Sequence, residues 1–306
     1  MKIKIGINGL GRIGKCVFLQ LIDNPKFEIN AVNAVNLKIN EIEDYLNYDS
    51  AHKKKIENFE IINEFEFKIN NQKIRLLSDR NPDKLKWKNY DCQYLIDATG
   101  AFLTQEKCSQ HDIDYVIMSA PAKDNSCSFI FGANHDKYNG EKIVSASSCT
   151  TNCLAPMIKL INDTFLINNC NFTTIHAATA SQYTVDVFKK SARTNRSIFN
   201  NIIPHTTGAS SSISKILPFI KDKIYGTSVR VPVLNCSLLD LNIEFDQEVD
   251  INDIKNLIEE SNLKDIVFKN INKKLVSSDF NTTTIPTNLD LYASMSMEKN
   301  KIKLLF

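Results

Sequence analysis

No long apolar run occurs anywhere in this chain. The N-terminus, MKIKIGINGLGRIG, alternates charge with isoleucine and then turns glycine-rich, so it lacks the apolar core of a secretory signal. No later stretch reaches membrane-spanning length. Charge of one sign is lacking too: 37 Lys and Arg against 35 Asp and Glu leave a formal net charge of +2. That balance gives no general affinity for nucleic acid or an anionic membrane. The eight cysteines are scattered, and no second ligand pair accompanies Cys149 and Cys153, so neither a disulfide framework nor a zinc site is indicated. There is no internal repeat and no extended low-complexity linker. What remains is a globular chain of 306 residues, 43% hydrophobic and 24% charged, long enough for two domains. Reduced thiols and a cytoplasmic location are the expectation.

Ile3, Ile5 and Ile7 alternate with Lys2 and Lys4, the period of a strand with one buried face. Gly9, Gly11 and Gly14 follow at once in the spacing G-x-G-x-x-G. Ile13, Val17 and Leu21 then recur at helical spacing until Asp23-Asn24-Pro25, and residues 27–35 read as the next strand. Strand, glycine turn, helix, strand is the context a dinucleotide site requires. The first glycine permits the tight turn, the second admits the pyrophosphate, and the third lets helix and strand pack closely. The phosphates then rest on the helix N-terminus.

The same rule expects an acidic residue about 20 positions further on, holding the adenosine ribose. Ala34 stands there. Losing a charge-assisted hydrogen bond weakens NAD binding by about 1.5–3 kcal/mol. It also removes the charge that repels a 2′-phosphate. One reading is NADP, or either cofactor; the other is that Asn33 or backbone groups serve the ribose of NAD. Further strand-like runs at residues 94–96, 115–118 and 142–144 end in small or polar residues, which predicts a doubly wound parallel sheet with ligands at its carboxyl edge. Residues 53–55, three lysines, read as a solvated loop.

Residues 145–156, SASSCTTNCLAP, place Cys149 between the apolar pair Ile143-Val144 and a segment that can be helical. Ser148, Thr150 and Thr151 offer hydroxyls where a helix starts, and a thiol at a helix N-terminus is biased toward thiolate. Taken alone, Cys149 reads more readily as a buried structural thiol. Further along, Phe172-Thr173-Thr174-Ile175 reads as a strand ending in His176, a candidate base for a reactive cysteine. Residues 181–201 lack an apolar period and carry Lys189, Lys190, Arg193 and Arg196. Such a basic irregular segment inside a compact domain is functional or disordered. Thr207 and Arg230, each beside a turn former, suit an anion such as phosphate. Residues 237–245, 289–295 and 301–306 read as strands and 250–262 as a helix, which suits an α+β domain with a largely antiparallel sheet.

Residues 8–14 (NGLGRIG), 119–121 (SAP), 146–156 (ASSCTTNCLAP), 173–176 (TTIH), 202–204 (IIP), 207–209 (TGA) and 230–232 (RVP) together resemble the phosphorylating glyceraldehyde-3-phosphate dehydrogenase family over nearly the whole chain. The resemblance implies an α/β fold: a Rossmann-type doubly wound parallel sheet in a dinucleotide-binding domain over residues 1–148, then an α+β catalytic domain with a mostly antiparallel sheet over 149–306. It implies Cys149 as nucleophile and His176 as its base. Cofactor contacts map to Gly9, Gly11, Arg12, Ile13, Gly14, Ala34, Arg80 and Ser119. The two phosphate sites map to Thr179, Arg196 and Arg230, and to Ser148, Thr150, Thr207 and Gly208. The implied reaction converts glyceraldehyde 3-phosphate and inorganic phosphate into 1,3-bisphosphoglycerate through a Cys149 thioester, with NAD or NADP as cofactor. A homotetramer is implied, without nucleic acid, membrane or metal.

Three departures from the family pattern shape further expectations. Ala34 stands where most NAD-using members carry Asp, and Val187-Phe188 replaces the usual contact-loop pair, which NADP use and an adapted loop would both explain. The sequence as given ends at Leu304-Leu305-Phe306, where members continue through a Trp-Tyr-Asp-Asn-Glu stretch into a final helix that carries the asparagine for the nicotinamide amide. The alternatives raised are a non-catalytic nucleotide-binding remnant and an erythrose-4-phosphate dehydrogenase.

Overall fold

The computed structural model describes residues 2–189 and 191–306. They form two compact units: the chain up to Phe129 with Lys137–Ser148, and Ile130–Asp136 with Cys149–Phe306.

In order, the first unit contains β1 (Ile3–Asn8), α1 (Arg12–Leu21), β2 (Phe27–Asn33), α2 (Ile42–Asn47), β3 (Phe59–Asn63), β4 (Glu66–Ile69), β5 (Gln72–Leu77), β6 (Tyr94–Asp97), α3 (Gln105–Cys108), β7 (Tyr115–Met118) and β8 (Ile143–Ser145). They make one eight-stranded sheet in the order β3-β4-β5-β2-β1-β6-β7-β8. Strands β5 to β8 are parallel, and β3 and β4 add an antiparallel edge. Counted along the chain, the parallel strands run 3-2-1-4-5-6, the doubly wound order whose halves diverge beside the first strand. Ile5, Ile7, Ile29 and Val32 pack against Phe18, Leu19 and Ile22 to form the core on one side.

The sequence pattern left two local features undisclosed. The helical stripe of Ile13, Val17 and Leu21 is not the one most deeply buried: Ile13 is exposed, and Gly14, Lys15, Phe18 and Leu19 face inward. Gly14 packs directly on the Gly9 backbone, where a Cβ would lie 1.8 Å from the carbonyl oxygen, and the inward face is the one that carries it. The antiparallel edge, β3 and β4, is a further element that apolar periodicity does not reveal, because four of the five residues of β3 are exposed. Lys53, Lys54 and Lys55 lie exposed in a loop, as expected, with Lys54 Nζ 2.8 Å from Asp23.

The second unit contains α4 (Cys149–Asn162), β9 (Ile167–His176), β10 (Ile203–His205), α5 (Ala209–Ile216), β11 (Ile224–Arg230), β12 (Leu238–Phe245), α6 (Ile251–Glu260), β13 (Phe268–Ile271), β14 (Thr287–Asp290), β15 (Met295–Glu298) and β16 (Lys301–Leu305). Its main sheet runs β10-β11-β9-β12-β16-β15, with only β9 and β11 parallel. Alternation along β12 and β16 turns Leu241, Ile243, Ile302 and Leu304 to one face, where Leu154, Ile158, Ile213 and Ile254 of the helices cover them. Gly226 on β11 leaves room for Phe172 on β9: a Cβ there would lie 2.1 Å from the ring.

Residues 289–295 are not one strand. The Asp290 carboxylate accepts the N–H groups of Tyr292 and Ala293, closing a turn between β14 and β15. Residues 181–201 are turns and bends with one bridge, Tyr183 to Ser197, and Lys190 lies outside the described residues.

Candidate functional site

At the carboxyl ends of β1, β2 and β6 three buried polar residues interlock. Asn33 Nδ2 donates to Asn8 Oδ1 at 2.8 Å, and Asn8 Nδ2 donates to Asp97 Oδ2 at 2.7 Å. Asp97 Oδ1 in turn accepts the N–H and hydroxyl of Thr99. The network fixes the edge from which the glycine turn leaves β1. Gly9 there has φ +90°, a conformation only glycine adopts without strain. Gly14 packs so closely that a Cβ would sit 1.8 Å from the Gly9 carbonyl oxygen, whereas a Cβ on Gly11 would meet nothing within 4 Å. Gly11 is the N-cap of α1, and no side chain caps that first turn. Open space over Gly11 and an uncapped helix end suit a pyrophosphate.

Beside this turn is a cavity of about 440 Å³, walled in part by Gly9, Gly11, Ala34, Leu37 and Thr99. Ala34 is buried in its wall. Asn33 is not available to a ribose: besides Asn8, its carboxamide donates to the Asp79 carbonyl and accepts the Asp79 N–H. Ile13 and Arg80 are exposed, and Arg12 lines a neighbouring recess with Lys15 and Asp49. Ser119 follows β7 and donates its N–H to the Asp97 carbonyl at 2.9 Å. These glycines, the uncapped turn and the cavity fit a dinucleotide.

In the second unit, Cys149 is the first residue of α4 and His176 the last of β9. Their Sγ and Nε2 atoms are 3.4 Å apart. Desolvation by the surrounding protein pushes the thiol up, but the hydrogen bond and attraction from His176, with the hydroxyl and N–H of Thr150, outweigh it. The net result is a thiol held below its ordinary value. One helical turn on, burial drives Cys153 up to about 12. The two cysteines of one motif are therefore set apart, one thiol eased toward thiolate and the other held protonated.

Arg230 ends β11, in register with His176 on the parallel neighbour β9. Its Nη1 lies 2.5 Å from His176 Nδ1 and 3.1 Å from the Ala177 carbonyl oxygen. The sequence did not disclose this contact; only the two strand ends, brought side by side, create it. Three of the other expected anion ligands have partners within the protein. Thr179 bonds Gln182, Arg196 pairs with Asp186 at 2.7 Å, and the Thr207 hydroxyl accepts the Ala209 N–H. Gly208 is the N-cap of α5, with open space where a Cβ would be. Ser148 closes the first unit and Thr150 is buried in the first turn of α4. No cluster that would hold a metal ion is present among the described residues.

Residues 3–105 match the model of the glyceraldehyde 3-phosphate dehydrogenase NAD binding domain, and residues 148–306 that of the C-terminal domain of the same enzyme. This chain belongs to the glyceraldehyde-3-phosphate dehydrogenase family. It is 39% identical over 312 residues to the glyceraldehyde-3-phosphate dehydrogenase of Buchnera aphidicola, covering 100% of this chain and 93% of the relative. It is 38% identical over 308 residues to that of Bacteroides fragilis, covering 98% and 92%. Against glyceraldehyde-3-phosphate dehydrogenase A of Escherichia coli it is 38% identical over 311 residues, covering 99% and 93%. It is thus an oxidoreductase of this family, with a nicotinamide-cofactor domain and a catalytic domain. Among the described residues, no helix is long and apolar enough to cross a membrane.

Proposed function

We propose that this protein oxidises glyceraldehyde 3-phosphate to an acyl phosphate through a thioester on Cys149. The observation that carries the reading is the 3.4 Å approach of Cys149 Sγ to His176 Nε2, with the thiol held below its ordinary value. Residues 1–148 serve as the nucleotide-binding part in this reading and 149–306 as the catalytic part. The thiolate adds to the aldehyde carbon and gives a hemithioacetal. His176 hands a proton to the new alkoxide and takes it back as oxidation proceeds. When bound, the nicotinamide supplies the hydride acceptor for that oxidation. Inorganic phosphate then attacks the thioester carbonyl, forming the acyl phosphate and freeing the Cys149 thiolate.

Gly9, Gly11, Arg12, Ile13, Gly14, Ala34, Arg80 and Ser119 are assigned to the cofactor. Thr179, Arg196 and Arg230 are assigned to the aldehyde's phosphate, and Ser148, Thr150, Thr207 and Gly208 to inorganic phosphate. Hydroxyls, N–H groups and guanidinium are the donors that phosphate oxygens accept. Because Ala34 presents no carboxylate and Asn33 is engaged elsewhere, the site also admits NADP. A homotetramer completes the reading. The test is reduction of NAD or NADP by the purified protein with glyceraldehyde 3-phosphate, its dependence on inorganic phosphate, and its loss in Cys149→Ser.

A further inference from the structure

We propose that Thr287 is a positioning residue for Cys149: its hydroxyl, holding the Cys153 carbonyl, fixes the first turn of α4 where the thiol meets His176. This role deepens the function above and rests on it for Cys149 as the nucleophile.

An α-helix ordinarily holds its own first turn, because each N–H from the fifth residue on returns to the carbonyl four residues back. Pro156, the eighth of the fourteen residues of α4, interrupts that pattern. It has no N–H to return to Asn152, and its ring crowds that carbonyl. The link between residues 149–152 and the body of the helix is weaker for it. The turn that carries Cys149 therefore depends on a hold from outside the helix.

Thr287 supplies one. It is fully buried on β14, and its Oγ1 donates to the Cys153 carbonyl at 3.0 Å across 134 residues of sequence. Its own place is fixed by the pairing of β14 with β13, where Thr287 lies opposite Phe268 and its N–H donates to the Val267 carbonyl at 3.1 Å. Cys153 is the residue through which this hold reaches the nucleophile. Its carbonyl accepts from Thr287, and its N–H is the one that returns to the Cys149 carbonyl in the helix. Leu154 and Ala155 pack into the core on the same turn, but apolar contact is non-directional and leaves rotation about the helix axis free. The hydrogen bond removes that freedom.

The contact of Sγ with Nε2 at 3.4 Å thus joins groups held by separate parts of the second unit. Strand β9 carries the imidazole, and β14 steadies the turn that carries the thiol. A shift of about 1 Å in that turn takes the pair out of hydrogen-bond reach. Thr287 touches neither reacting group and acts only through Cys153.

Thr287→Val keeps the shape of the side chain and removes its donor, whereas Thr287→Ser keeps the donor. Iodoacetate alkylation of Cys149 against pH reads the contact with His176 without turnover. In Thr287→Val the inflection should move up and the rate at pH 7 fall by about tenfold for each unit of pKa. Thr287→Ser should restore both. With glyceraldehyde 3-phosphate, kcat of Thr287→Val should fall by about 10- to 100-fold with little change in KM, the mark of a misplaced reacting group. A Thr287→Val protein that melts lower yet keeps the original inflection and kcat overturns the proposal, since Thr287 then serves stability alone. Hydrogen exchange in the unsubstituted chain decides the matter should that variant fold poorly. The amides of Cys153, Leu154 and Ala155 should exchange as slowly as those of Ile158 and Ile161. A first turn that exchanges freely beside a protected helix body overturns the proposal as well. The two readings fail separately: an unsubstituted Cys149 that titrates as an ordinary thiol overturns both, whereas a lowered inflection indifferent to Thr287→Val overturns the positioning role alone.

Discussion

Gly14 stands so close to Gly9 that a Cβ on it would lie 1.8 Å from the Gly9 carbonyl oxygen and 2.9 Å from its carbonyl carbon. Backbone atoms cannot swing aside as a flexible side chain can. Gly14→Ala should therefore force α1 off β1, lowering stability by about 1–3 kcal/mol, and should weaken cofactor binding with it. Gly11→Ala meets nothing within 4 Å in the protein, so it should leave the melting temperature unchanged while obstructing the pyrophosphate. Calorimetric melting with cofactor titration separates the two.

Ala34 and Asn33 make cofactor choice testable at one position. Asn33 is tied to Asn8 and to the Asp79 backbone, so it does not stand in for a ribose-binding carboxylate. Ala34→Asp should raise the NAD-to-NADP ratio of kcat/KM by about 10- to 100-fold, the worth of one charge-assisted hydrogen bond. Equal use of both cofactors by that variant would show that the ribose is held elsewhere.

Alkylation tests the electrostatics of the thiols. Because the Cys149 pKa is lowered, its thiolate fraction, and with it the iodoacetate rate, should rise and level off at a pH below the range of an ordinary thiol. Cys153, held at about 12 by burial, should remain unlabelled. In His176→Asn the burial cost is opposed mainly by Thr150, so the inflection should move up and the rate at pH 7 fall by about tenfold for each unit of pKa. Peptide mapping of the labelled protein checks both statements.

Asp49 sets an acid limit for the first unit. Burial works against its charge, but the N–H groups of His52 and Ala51 and the Lys15 ammonium outweigh that and hold the carboxyl at about 2, from 3.8. A depressed folded value means that the unfolded chain binds more protons in this window. The stabilisation is thus present above 3.8 and lost as pH falls through about 2. Lys15→Met should flatten part of that loss. Emission from Trp87, the chain's one tryptophan and fully buried, reports it in an acid titration.

What the sequence made legible follows a physical pattern. The doubly wound sheet was readable because its central strands are buried and the glycine spacing marks the turn after β1. The hairpin of β3 and β4 was not, since four of the five β3 residues are exposed and the alternation of β4 spans only four residues. Residues 289–295 misled because the Asp290 side chain, through its own hydrogen bonds, stops a run that composition alone would continue. At the site, Cys149 and His176 were nameable from motifs. The Asn8–Asn33–Asp97 network had a signal in polar residues closing three apolar strands. The Arg230–His176 contact had none, because it depends on the register of β9 against β11.

The most direct measurement is cofactor reduction by the purified protein, with NAD and NADP in parallel, glyceraldehyde 3-phosphate as substrate, and inorganic phosphate present or withheld. Sustained reduction that requires phosphate and disappears in Cys149→Ser is the expected result. Folded protein that binds nucleotide yet reduces neither cofactor would contradict the account.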